Sequence, residues 1–90
     1  MILPYLVNFE HRAQKTLKKM KKKDKKLYAI VSERLEQIEA DPRRFKPLKA
    51  PLSNRWRTHV DSFVILYMID EASSKVFIID ICHHDKAYGG

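Results

Sequence analysis

Residues 56–70 read WRTHVDSFVILYMID, and residues 76–82 read VFIIDIC. Trp56, Thr58 and Val60 alternate with Arg57 and His59, the period of two expected of a strand with one buried face. Phe63 to Ile69 is apolar at nearly every position, and Val76 to Cys82 is apolar apart from Asp80. Asp61-Ser62 is short enough for a tight hairpin, and residues 70–74, DEASS, make a longer one. The three strands so joined form an antiparallel meander.

Upstream of the meander the period changes twice. Pro4-Tyr5-Leu6-Val7-Asn8-Phe9 reads as a short first strand with Tyr5, Val7 and Phe9 on one face. Pro4 stands at its start, where a missing N–H does least harm. From Glu10 onward Ala13, Leu17 and Met20 make one helical stripe, with lysines on the other faces. Asp24 is a plausible N-cap for a second helix, whose apolar stripe is Leu27, Ile30, Val31, Leu35 and Ile38. Asp41-Pro42 ends that helix, because a residue before proline is pushed out of the α region. Residues 42–54, PRRFKPLKAPLSN, hold three of the four prolines and no period, and read as a basic loop pinned by Phe45 and Leu48. The expected order is β-α-α-β-β-β, an α+β fold with a helical hairpin packed on one face of a small antiparallel sheet.

The chain has 90 residues, enough for one domain spanning 1–90 and one modest core. At 44% hydrophobic and 32% charged, it has the composition of neither a disordered nor a membrane protein. No apolar run approaches the roughly 18 residues that a membrane span needs. The first ten residues, MILPYLVNFE, lack the pattern of a signal peptide, so the expected compartment is the cytoplasm. A single cysteine, Cys82, excludes an internal disulfide and a multi-cysteine zinc site.

Charge is more informative. Eighteen Lys+Arg against eleven Asp+Glu give a net +7, concentrated in two blocks. Residues 11–26 carry +8 and residues 42–60 carry +6, while every other stretch is net negative. Two basic blocks on a small domain point to a polyanionic partner, nucleic acid before a membrane.

His11 falls on the first helix as an exposed polar position. The other three histidines gather at strand ends: His59 in the second strand, and His83 and His84 beyond the fourth. If the Trp56 side faces the helices, Arg57 and His59 face the open side of the sheet. Arginine, histidine and the nearby Tyr88 are parts for cutting RNA without a metal. A 2′-hydroxyl must lose a proton, a 5′-oxygen must gain one, and the phosphorane needs positive charge. Histidine suits both transfers and arginine offers a planar fork to the phosphate. His83-His84-Asp85 with His59 has the residue types of a metal site. Adjacent strand residues point to opposite faces, however, so at most two of these could share an ion, and neither a metal nor a cofactor is expected.

The runs Trp56-Arg57-Thr58-His59-Val60, residues 63–70 and residues 76–84, ending in Tyr88, resemble the RelE/ParE superfamily of type II toxin–antitoxin toxins over essentially the whole chain. Within it the pattern is most similar to the YafQ-type ribonucleases, where His59 matches one motif histidine and His84, Tyr88 and Gly89 (HDKAYG) match the C-terminal motif. Lys46-Pro47-Leu48 stands where that group has His-Pro-Leu, and Val64 where RelE-type toxins carry an arginine. The resemblance implies an mRNA interferase: an endoribonuclease that cuts mRNA in the ribosomal A site and is neutralised by a cognate antitoxin. It implies His59 and His84 as the proton-transfer pair, Arg57 on the phosphorane and Tyr88 against a base. Lys46, Lys49, Arg55 and Lys86 would grip the RNA, with His83 and Asp85 as second choices. The lysine run over residues 18–26 would face ribosomal RNA or an acidic antitoxin. Two other readings of the same resemblance stand beside it: a ParE-like inhibitor of DNA gyrase that cuts nothing, and a degenerate non-catalytic member.

Overall fold

The computed structural model describes residues 5–48 and 55–85. In chain order the elements are β1 (Leu6–Phe9), α1 (His11–Lys23), α2 (Lys25–Ala40), a 3-10 turn (Pro42–Arg44), β2 (Lys46–Pro47), β3 (Arg55–Val60), β4 (Phe63–Asp70) and β5 (Lys75–His83). The sheet order is β1-β5-β4-β3-β2. β2 to β5 pair antiparallel, and β1 adds to β5 in parallel, so the expected α+β architecture is present.

One aspartate divides the helices. The Asp24 N–H donates to the Met20 carbonyl at 2.8 Å, closing α1, and its Oδ1 accepts from the Leu27 N–H at 3.0 Å, opening α2. α2 ends where Asp41 donates to the Gln37 carbonyl at 3.0 Å and the buried Pro42 follows.

The core lies between the helices and one face of the sheet. Ala13 and Met20 of α1 and Val31 and Ile38 of α2 meet Val60, Ile65, Tyr67, Ile69, Val76, Ile78 and Ile81. Tyr67 is fully buried and donates its hydroxyl to the Pro42 carbonyl at 2.6 Å, tying the end of α2 to the centre of β4. Ile30, expected in the apolar stripe, is 43% exposed. It lies about 100° round the helix from the buried Val31, off the stripe that meets the sheet.

Two features were not readable in advance. Lys46-Pro47, inside the expected loop, forms the edge strand β2, paired Lys46↔Arg57 and Pro47↔Trp56. Two residues are too few to show a period, and an edge is where a strand accepts proline. β5 also carries a bulge. Leu66 pairs with Asp80 but the next residue, Tyr67, pairs with Ile78, which leaves Ile79 as the extra residue.

Candidate active site

β3 has two unlike faces. Thr58 and Val60 are buried toward the helices, whereas Arg57 is half-buried and His59 exposed on the open side, as the alternation predicts. Directly opposed residues of an antiparallel ladder share a face, so the open side reads in rows. Lys46, Arg57 and Leu66 form one row, His59, Val64 and Cys82 the next, and Arg55, Met68 and Phe77 the one on the far side. Lys46, Arg55, Arg57 and His59 therefore gather at one edge of one face. The Arg55 guanidinium lies against the Met68 sulfur.

His84 joins them from the other end of the sheet. Its backbone N–H donates to the Ser62 carbonyl at 2.8 Å, which docks the end of β5 onto the β3–β4 hairpin. That hairpin turns through Asp61 at φ 57°, a left-handed conformation that aspartate tolerates better than most residues. The result is a ring pair: His59 and His84 have centroids 5.3 Å apart and planes tilted by 39°. His83 goes elsewhere. It sits opposite Phe63 in the ladder and packs edge-on against that ring at 5.7 Å. Adjacent histidines thus diverge to opposite faces, and among the described residues no three His, Cys, Asp or Glu side chains gather as a metal site. Asp85 lies 3.7 Å from His83 Nδ1 and 3.9 Å from His84 Nδ1, in an exposed position where such pairs contribute little.

Burial holds the pKa of His59 below its usual 6.5, and the neighbouring His84, Arg57 and Lys46 push it the same way. A neutral imidazole among cations is a proton acceptor at neutral pH. Val64 is fully buried between His59 and Cys82 and offers nothing to a phosphate.

Three residues outside the sequence-based set line this edge. Arg44, Phe45, Lys46, Pro47, Arg57, Thr58 and His59 enclose a shallow cleft of about 430 Å3. The Arg34 and Arg44 guanidinium carbons stand 5.1 and 5.8 Å from the centroid of Phe45. Arg44 and Phe45 were hidden in an aperiodic loop, but Arg34 had a signal: it is a cation at a core-facing position of α2, four and seven residues before Ile38 and after Leu27 respectively. His11 and the lysines of α1 are exposed. Lys49, Lys86 and Tyr88 lie outside the described residues.

Residues 7–88 match the family described as ParE toxin of type II toxin-antitoxin system, parDE. The chain belongs to the RelE/ParE family of type II toxins. A Methanocaldococcus jannaschii protein named "Putative toxin RelE4" is similar to this toxin at 34% identity over 85 residues, 93% of this chain and 90% of that one. A chain of the RelBE2 toxin–antitoxin complex of Mycobacterium tuberculosis superposes with a TM-score of 0.74 at 27% identity, covering 92% of this toxin and 94% of that chain. The YoeB/ParE toxin of Agrobacterium tumefaciens shares the fold, with a TM-score of 0.77 at 11% identity over 88% of this chain and 98% of that one.

Proposed function

We propose that this toxin is a metal-independent endoribonuclease that cuts mRNA, in the ribosomal A site, with His59 and His84 as its proton-transfer pair. The observation that carries the reading is the contact of the two imidazoles beside Arg57 and Lys46. Neutral His59 takes the 2′-hydroxyl proton as that oxygen attacks the adjacent phosphorus. Arg57 and Lys46 stabilise the charge that builds on the phosphorane oxygens. The bond from phosphorus to the 5′-oxygen breaks, and protonated His84 gives its proton to that leaving oxygen. The products are a 2′,3′-cyclic phosphate and a 5′-hydroxyl, so atoms and protons balance without a metal. The RelBE2 toxin–antitoxin complex that holds the similar chain and the exposed basic helix α1 support an antitoxin of acidic character as the partner.

The matched family is described as a ParE toxin, so the ParE-like reading given above, inhibition of DNA gyrase without nuclease activity, stands as the second one. Brief induction followed by gel analysis of a reporter mRNA separates them. Discrete mRNA cuts that persist in EDTA, once ribosomal magnesium is controlled for, are expected. Intact mRNA together with DNA breaks would overturn the nuclease in favour of the gyrase reading, and intact mRNA without them leaves the non-catalytic one.

A further inference from the structure

Arg34 occupies a position that composition would give to an aliphatic residue. Leu27, Val31, Arg34 and Ile38 recur at spacings of four, three and four along the face of α2 that meets the sheet. Arg34 is also the one cation in residues 27–41, a stretch with four carboxylates, Glu33, Glu36, Glu39 and Asp41. Among the described residues it pairs with none of them. Its helix neighbours three and four residues away, Val31, Ile30, Gln37 and Ile38, carry no charge, so the guanidinium is directed off the helix.

It lands on the edge of β3. A single nitrogen, Nη1, donates to the Thr58 hydroxyl and, at 2.9 Å, to the His59 carbonyl. β2 pairs only with Trp56 and Arg57, so among the described residues no strand covers the outer edge of β3 beyond Arg57. The His59 carbonyl lies on that edge, and Arg34 gives it a donor. The same guanidinium stacks on Phe45, in the opposite wall of the cleft. One side chain therefore fixes the backbone of His59 and the distance between the two walls that line it.

We infer that Arg34 is a positioning residue that holds His59 in register with His84 and holds the Phe45 segment against β3. Losing the guanidinium takes a donor from the Thr58 hydroxyl and the His59 carbonyl, so each variant is first checked for a cooperative thermal transition. Arg34→Met keeps volume and loses the donors, Arg34→Lys keeps charge and loses the planar fork, and Thr58→Val removes one acceptor without touching α2.

The kinetic arm rests on the proposed ribonuclease reading, while the spectroscopic arm does not. In the first, single-turnover RNA cleavage is measured against RNA concentration. Arg34→Met and Arg34→Lys are each expected to lower the maximal rate by about tenfold to a hundredfold, the scale of a small misplacement of a reacting group, with half-saturation unchanged. In the second, the His59 ring is titrated by NMR with 15N-labelled histidine. The groups that face it are His84, Arg57 and Lys46. Its midpoint is expected to rise toward the ordinary value in Arg34→Lys, which keeps the charge, and in Thr58→Val, as the ring moves away from those neighbours. An unchanged His59 titration in folded Arg34→Lys and Thr58→Val, or an unchanged maximal rate of the Arg34 variants in an active wild-type background, overturns the inference. A wild type that cuts no RNA overturns the ribonuclease reading alone, because the titration still decides the role of Arg34.

Discussion

Two regions of this toxin are basic, and they hold their charge in opposite ways. The lysines of α1 project from one helix into solvent, and among the described residues none of them makes an ion pair; Lys21 alone leans over a ring, Tyr28, at 5.8 Å. Lysine is a compact charge on a flexible stem, so this face offers a dense but unfixed potential. At the β2–β3 edge the cations are fewer, but their backbones are locked by ladder partners, Lys46 by Arg57 and Arg57 by Leu66. Flexible charge suits contact with a phosphate lattice, whereas placed charge suits one bond in one geometry. On the proposed ribonuclease reading, the two basic blocks of the sequence divide into grip and chemistry.

The sharpest way to break that division is to remove the chemistry. His59→Ala or His84→Ala is expected to lower single-turnover cleavage by roughly 10²–10⁴, the usual value of general acid–base catalysis. Thermal unfolding should barely move, since both rings are exposed on the open face. Cleavage at the wild-type rate in both variants would sink the assignment. Arg57→Gln should follow, with maximal rate down about 10²–10³ and RNA affinity nearly intact, because its contact strengthens only as charge builds on the phosphorane.

Replacing Lys21, Lys22 and Lys23 together by Gln should do the reverse. Affinity for RNA or ribosomes should fall, and the slope of log affinity against log salt should flatten by about 2, at roughly 0.7 per contact on a single strand. The rate at saturation should hold. A rate-versus-ribosome titration at two salt concentrations reads both quantities, and loss of maximal rate in the lysine variant would erase the distinction between the regions.

The smallest expected effect is on acid stability. His59 has a lowered pKa in the folded state, so as pH falls through 6.5 the unfolded chain binds the proton first. Stability should therefore decline from that pH down to the folded pKa, and His59→Asn should remove this part of the decline. Asp70 adds to the same trend at lower pH. The Ser73 side chain, with backbone N–H groups from Ser73 and Ala72, holds its carboxyl below the usual range, and that contribution is lost on protonation. Urea midpoints across the acid range for wild type and His59→Asn check the sign. A variant that is more acid-sensitive than wild type would contradict it.

Much of this was legible in the chain. The alternation of Trp56, Thr58 and Val60 with Arg57 and His59 placed one histidine on the open face, and the structure puts it there. Asp24 and Asp41-Pro42 delimited α2 because caps and proline act on their immediate neighbours. Ile30 was misplaced because a stripe drawn from spacing alone has no measure of its own width. Arg34 was visible only as a charge in an apolar stripe, a signal that says a partner is needed without saying which.

Sequence by itself determined the two helices, the four longer strands, their hydrophobic faces, the two basic blocks and the residue types of the candidate site, because these depend on periods and local turns. Tertiary structure decided which histidine meets His59. Strict alternation from Val76 and Ile78 would turn Cys82 and His84 toward the helices. The bulge at Ile79 reverses that parity, so Ile81 is buried at 1% exposure, His83 faces Phe63, and His84 crosses to the side of His59. Nothing within β5 specifies the extra residue. It follows from fitting β5 at once to β4, to β1 on its other edge and to the apolar faces of two helices, a condition that exists only when the chain has folded.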